Sequence, residues 1–283
     1  MPKESQTKHF NLESNELLIH IEPKTRTQKN NSTKEYSKII NHILSLFILF
    51  ILPQKVFLLS DHYIKMKFSK VGYNQILSDE YLGFLPDKII KGDEIMYMDK
   101  NKIVFIDSID TEIILEFNSS FTNFSYMFSN LTTISSIHIS HMFGKYTNTS
   151  FMFYNCYNLQ NVSYDTKRND NFMRDMRGMF YNCLSLKSFY FHDLYIDQYY
   201  SNGYYYYDVN ISYMFYNCQN LDSVSFDSNN YFYIGDMTAM FYNCYSLNYI
   251  DLRKIYIRNY INISYLFYNC KKLASFDCYQ FQA

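Results

Sequence analysis

Residues 210–226 read NISYMFYNCQNLDSVSF, and five other stretches of the chain repeat the pattern. Counting from Asn210 as zero, apolar residues fall at positions one (Ile211), four and five (Met214, Phe215) and eight (Cys218). The other copies start at Asn123, Asn148, Asp175, Asp236 and Asn262. They carry Met127-Phe128, Met152-Phe153, Met179-Phe180, Met240-Phe241 and Leu266-Phe267 at the paired position. Apolar residues at one, four, five and eight form one face of a helix, so the spacing predicts a short helix. The opening Asn or Asp is then its N-cap, accepting a bond from an orphan N–H.

Position eleven is Leu159, Leu186, Leu221, Leu247 and Leu273, with Ile134 in the first copy. Positions fourteen and sixteen are again apolar, as in Val224 and Phe226, which is strand period. Each unit thus reads as a short helix, a turn and a short strand. Starts lie 25, 27, 35, 26 and 26 residues apart. A coil that short cannot bury its apolar side alone, so the copies must stack into a solenoid.

Position seven is Asn in every copy: Asn130, Asn155, Asn182, Asn217, Asn243 and Asn269. The expected role is a ladder, each Asn satisfying carbonyls left open at the helix end or in the turn. Five of the six cysteines (Cys156, Cys183, Cys218, Cys244, Cys270) share position eight, and Cys278 stands apart. One thiol per coil is a column of small buried hydrophobes rather than a zinc ligand set. Disulfides between neighbouring coils stay open where Cα atoms approach within about 7 Å.

The units Met152-Phe153-Tyr154-Asn155-Cys156-x-x-Leu159 and Met214-Phe215-Tyr216-Asn217-Cys218-x-x-Leu221 resemble the repeat of BspA-like leucine-rich-repeat surface proteins. The likeness covers about residues 123–278, and the fixed internal offsets make it specific. It implies an α/β, leucine-rich-repeat-like solenoid, an exported or surface location, and adhesion or recognition without common catalytic residues. Two departures stand out: Leu131 replaces Cys in the first copy, and the third copy is about nine residues longer.

Outside the array, residues 1–37 are polar and mixed in charge, which reads as a disordered tail. Residues 38–60 hold an apolar run from Ile43 to Leu52, preceded by Lys24, Arg26, Lys29, Lys34 and Lys38. Basic residues before an apolar run fit a signal-anchor or uncleaved signal, with membrane anchoring through residues 39–59. A cleaved signal and a buried helix are the alternatives. Residues 61–117 read as a β-rich cap for the first coil. Its strands are expected at Tyr63–Phe68, Lys102–Ile106 and Thr111–Phe117, with a short helix from Asn74 to Asp79. Residues 118–283 are the six-repeat solenoid.

Function is read from surfaces. A formal net charge of −1 excludes a phosphate-tracking nucleic-acid binder. No phosphate-loop, dinucleotide, zinc-protease or nucleophile-elbow motif occurs. His138 and His141 lack an evident third metal ligand, so neither metal, cofactor nor catalysis is expected. On the strands, positions thirteen and fifteen point outward and include His138, Tyr190, Tyr249 and Asp251. The long third copy adds Tyr199, Tyr200, Tyr204, Tyr205, Tyr206 and Tyr207 around Asn202-Gly203, a hairpin signal in a loop suited to binding.

The expected partner is a protein or glycan, met at the cell surface or after secretion. An intracellular protein-interaction scaffold is the alternative. The sixth strand is followed by no evident polar cap, so three readings of the open C-terminal coil stand: contact with a partner, self-association, or an incomplete gene model. Asn-x-Ser/Thr sequons at Asn123, Asn148, Asn210 and Asn262 coincide with unit starts and are poor glycosylation candidates.

Overall fold

The structure is a computed structural model and describes residues 60–98, 100–141, 143–165, 173–191, 209–226 and 232–278. The N-terminal part holds β1 (Tyr63–Phe68), β2 (Gly72–Gln75), β3 (Lys88–Lys91), β4 (Glu94–Met96), β5 (Ile103–Ile106) and β6 (Ile113–Glu116). β1 alternates as expected, burying Ile64, Met66 and Phe68. The helix expected from Asn74 to Asp79 is absent. Asn74 and Gln75 instead finish β2, paired antiparallel with β5, and Ile76 and Leu77 drop into the core. The two-residue alternation set up by that pairing overrides the local helical reading.

Each coil then contributes an opening and a closing strand. They are β7 (Phe121–Asn123) and β8 (Ile134–Ser140), then β9 (Phe143–Asn148) and β10 (Asn161–Tyr164). Next come β11 (Met173–Asp175) and β12 (Ser188–Tyr190), then β13 (Val209–Asn210) and β14 (Ser223–Ser225). The last are β15 (Phe232–Asp236) and β16 (Tyr249–Asp251), then β17 (Ile255–Asn262) and β18 (Ser275–Asp277). Opening strands stack in parallel in the order β17-β15-β13-β11-β9-β7. Closing strands β12-β14-β16-β18 form a second parallel wall. β10 and β8 join β1, β6, β3 and β4 in one sheet, with β1 antiparallel to β8. Ile64 lies opposite Ile139 and Met66 opposite Ile137, so the first closing strand is covered by the N-terminal part.

The predicted solenoid is therefore real, but its coils hold no α-helix among the described residues. Between the two strands of each coil runs a turn segment with a regular hydrogen-bond alternation. Residues at even positions donate within the coil: Met214 N to Ile211 O (3.2 Å), Tyr216 N to Tyr213 O (3.1 Å) and Cys218 N to Phe215 O (3.1 Å). Odd positions donate to the next coil: Ile211 N to Asp236 O, Tyr213 N to Thr238 O, Phe215 N to Met240 O and Asn217 N to Tyr242 O.

A helix would turn every amide inward along its own axis. This segment gives half of them to its neighbour, because positions three and seven adopt left-handed backbone. Tyr213 has φ 57° and Asn217 φ 60°. The asparagines of position seven in all six copies lie at φ 59–61°. Asn tolerates this region better than other residues with a Cβ. The apolar stripe at one, four, five and eight still faces inward, burying Met214, Phe215 and Cys218 completely.

Candidate functional site: the walls of the solenoid

The opening residue of each unit is a turn-maker, correcting the helix-cap expectation. Asn210 Oδ1 accepts from Ser212 N (2.9 Å) and Ser212 Oγ (2.7 Å); Asp236 Oδ1 accepts from Thr238 N (2.8 Å) and Oγ1 (2.6 Å). The bond to the N–H two residues on is an Asx turn, which needs no helix after it.

The Asn ladder exists, but its partners are other side chains rather than carbonyls of the turn. Asn155 Nδ2 donates to Asn130 Oδ1 (2.9 Å), Asn182 to Asn155 (2.8 Å), Asn217 to Asn182 (2.8 Å) and Asn269 to Asn243 (3.0 Å). At its N-terminal end Glu80 takes over as acceptor. Its Oε1 receives Asn130 Nδ2 (3.1 Å) and its Oε2 receives Ser129 Oγ (2.7 Å).

Inside the coils, Phe128, Phe153, Phe180, Phe215, Phe241 and Phe267 stack ring over ring at 5.3–5.6 Å with planes within 11°. Each column thiol donates to the carbonyl of a Phe in the preceding coil, as Cys218 Sγ does to Phe180 O (3.0 Å). All six cysteines are free. Burial raises the Cys156, Cys183, Cys218 and Cys244 thiols well above their ordinary range, and that of Cys270 to about 11. The neutral thiols of Cys156, Cys183, Cys218 and Cys244, at 0% exposure, are packing groups and weak donors, not nucleophiles.

Position six carries an aromatic column that the apolar stripe does not include. Tyr154, Tyr181, Tyr216, Tyr242 and Tyr268 stack at 4.5–5.2 Å, the inner pairs within 8° of parallel. The signal was present, as Tyr fills that position in five of six copies. These rings are half-buried or exposed, so they line the outside of the turn wall. Desolvation, followed by crowding from Tyr216 and Tyr154, pushes the Tyr181 hydroxyl up to about 12, so it stays protonated.

On the strand wall the structure separates the four candidates named from sequence. Tyr190 and Tyr249 are exposed, 51% and 43%. Tyr249 Oη donates to Asp277 Oδ2 (2.9 Å), bridging adjacent coils. Asp251 pairs with the Arg253 guanidinium, which holds its carboxyl below the usual range. His138 lies at the other end, its Nδ1 3.0 Å from Ser163 Oγ and its Nε2 3.5 Å from Asp165 Oδ2. His141 Nε2 reaches the same Asp165 oxygen at 4.0 Å. Among the described residues no group of three or more His, Cys, Asp or Glu is placed to hold a metal. The expected loop residues Tyr199, Tyr200, Tyr204, Tyr205, Tyr206 and Tyr207 lie outside the described residues, as does the apolar run before Ser60. No helix among the described residues is long and apolar enough to cross a membrane.

Two periodic walls around a core of aromatic and thiol columns define a repeat solenoid. The family model for the BspA type leucine rich repeat region matches residues 104–210 and 210–281 in six copies, and the chain belongs to that family. Neither the curated proteins nor the solved structures return a match.

Proposed function

We propose that this chain is a non-catalytic recognition or adhesion module, displayed at the cell surface or secreted. It binds a protein or glycan through the strand wall or the Tyr-rich loop of the third copy. Residues 1–37 form a tail, 38–60 an anchor or signal, 61–117 a cap, and 118–283 the binding array. The observation that carries the reading is the strand wall itself. Outward side chains recur once per coil at fixed spacing, and Tyr190, Tyr249 and the Asp251–Arg253 pair stand on it in contact with solvent. Tyr on a rigid scaffold offers large contact area at low entropic cost. Family membership supports the same reading through its association with surface proteins.

Protease shaving of intact cells tests the location. Release of solenoid peptides supports it, whereas a chain cut only after lysis overturns it. Tyr249→Ala and Asp251→Ala then test the wall, with reduced adhesion and retained cooperative unfolding expected. An intracellular scaffold is the second reading, favoured by six free cysteines, a state that a reducing compartment maintains.

A further inference from the structure

The two walls differ in charge. Across positions two, three, six, seven and nine of the six coils, the turn wall carries only Arg177 and Lys271 as charged residues, and Glu80 adds one carboxylate at its N-terminal end. The strand wall carries Asp251, paired with Arg253, and Asp277, with Asp165 and His138 at its first coils. An ionic partner would find few complementary charges on the turn wall. A surface meeting its own copy across a twofold axis has the opposite requirement, since like charges brought opposite each other repel.

The turn wall also complements itself in hydrogen bonding. Every Tyr hydroxyl donates and accepts. Asn155 and Asn182 each spend one amide N–H and one carbonyl lone pair on the ladder, which leaves one donor and one acceptor apiece. Stacking has already ordered the position-six rings, so little freedom remains to be lost on contact. A second copy necessarily presents the same 4.5–5.2 Å ring spacing, so rows from two molecules meet in step.

The exposed rings supply a little over half of the area a stable interface needs. Tyr126, Tyr157, Tyr213, Tyr265 and Tyr268 are 36–66% exposed. At about 200 Å² per ring side chain they leave roughly 450 Å² open. Neighbouring half-buried Tyr, Asn and Ser bring this toward the about 800 Å² per partner of a stable interface.

We propose that the turn wall pairs with the turn wall of a second copy of this chain, side by side about a twofold axis near Tyr213 and Tyr216. The inference goes beyond the recognition role: such a pair would leave both strand walls outward and give two-site avidity. The test is sedimentation equilibrium of the full chain from about 1 to about 100 µM, where a dimer is expected. Tyr213→Lys and Tyr213→Glu should each weaken pairing at least about tenfold, since each sets like charges face to face near the axis. Mixing the two variants should restore a heterodimer, which misfolded chains could not do. Asp251→Asn on the strand wall should leave pairing unchanged.

If either Tyr213 variant loses its cooperative unfolding, Gln219→Lys and Gln219→Glu serve as the same charge pair. A monomer throughout the concentration range, variants that pair like the parent, or a mixture that stays monomeric would each overturn the proposal. A monomer that still binds protein or glycan overturns pairing alone and leaves the recognition reading standing.

Discussion

Asn182 offers a test in which the two readings of the repeat predict opposite signs. It sits at φ 61° in the centre of the ladder, donating to Asn155 and accepting from Asn217, both at 2.8 Å. Asn182→Ala and Asn182→Gly remove the same two amide bonds, together worth roughly 1–3 kcal/mol. They differ in the backbone. Ala in the left-handed region costs about 1–2 kcal/mol, whereas Gly enters it freely. Gly gives back about 0.4–1 kcal/mol through the larger entropy of its unfolded chain. The Gly variant should therefore be more stable than the Ala variant by about 0.5–1 kcal/mol. Were position seven helical, Ala would lead by about 1 kcal/mol. Urea unfolding followed by far-ultraviolet circular dichroism separates the cases. With a slope of about 2–3 kcal/mol per molar urea, the Gly midpoint should lie about 0.2–0.5 M higher. Equal midpoints, or an Ala variant that outlasts the Gly variant, would refute the left-handed ladder as a source of stability.

Three further outcomes are expected. Phe180→Ala removes one plate from the buried ring column and should cost about 3–5 kcal/mol, read from the urea midpoint, with Phe180→Leu losing less. The column thiols have folded pKa values raised by burial, so the native state holds their protons after the unfolded chain has released them. Their contribution is complete below the unfolded value near pH 8.5 and declines as pH rises beyond it, by up to about 1.4 kcal/mol per unit for each thiol. Unfolding midpoints flat from about pH 6 to pH 8 and falling above about pH 9 would agree, and thiol labelling of the native chain should reach Cys278 before Cys183. Glu80→Gln places an amide where a carboxylate accepts from Ser129 and Asn130, and should cost about 1–2 kcal/mol in the same assay. No loss would mean that Glu80 does not terminate the ladder.

The sequence alone determined that the chain repeats, where each copy starts, and which side chains face inward. Those conclusions depend only on the recurrence of Met-Phe, Cys and Leu at fixed offsets, and Met214, Phe215, Cys218 and Leu221 are all buried. It also marked Tyr190, Tyr249 and Asp251 as outward, because strand period fixes the side on which alternate residues lie. Secondary structure within the unit was decided by tertiary contact. An inward stripe at one, four, five and eight suits a helix and equally suits a turn segment with left-handed residues at three and seven. Choosing between them requires knowing where the odd-numbered amides go. In this molecule Phe215 N finds Met240 O in the next coil, about 25 residues away, and no window of one repeat contains that partner. The side-chain ladder and the tyrosine column follow from the same stacking, so their residues could be read in the sequence while their contacts could not.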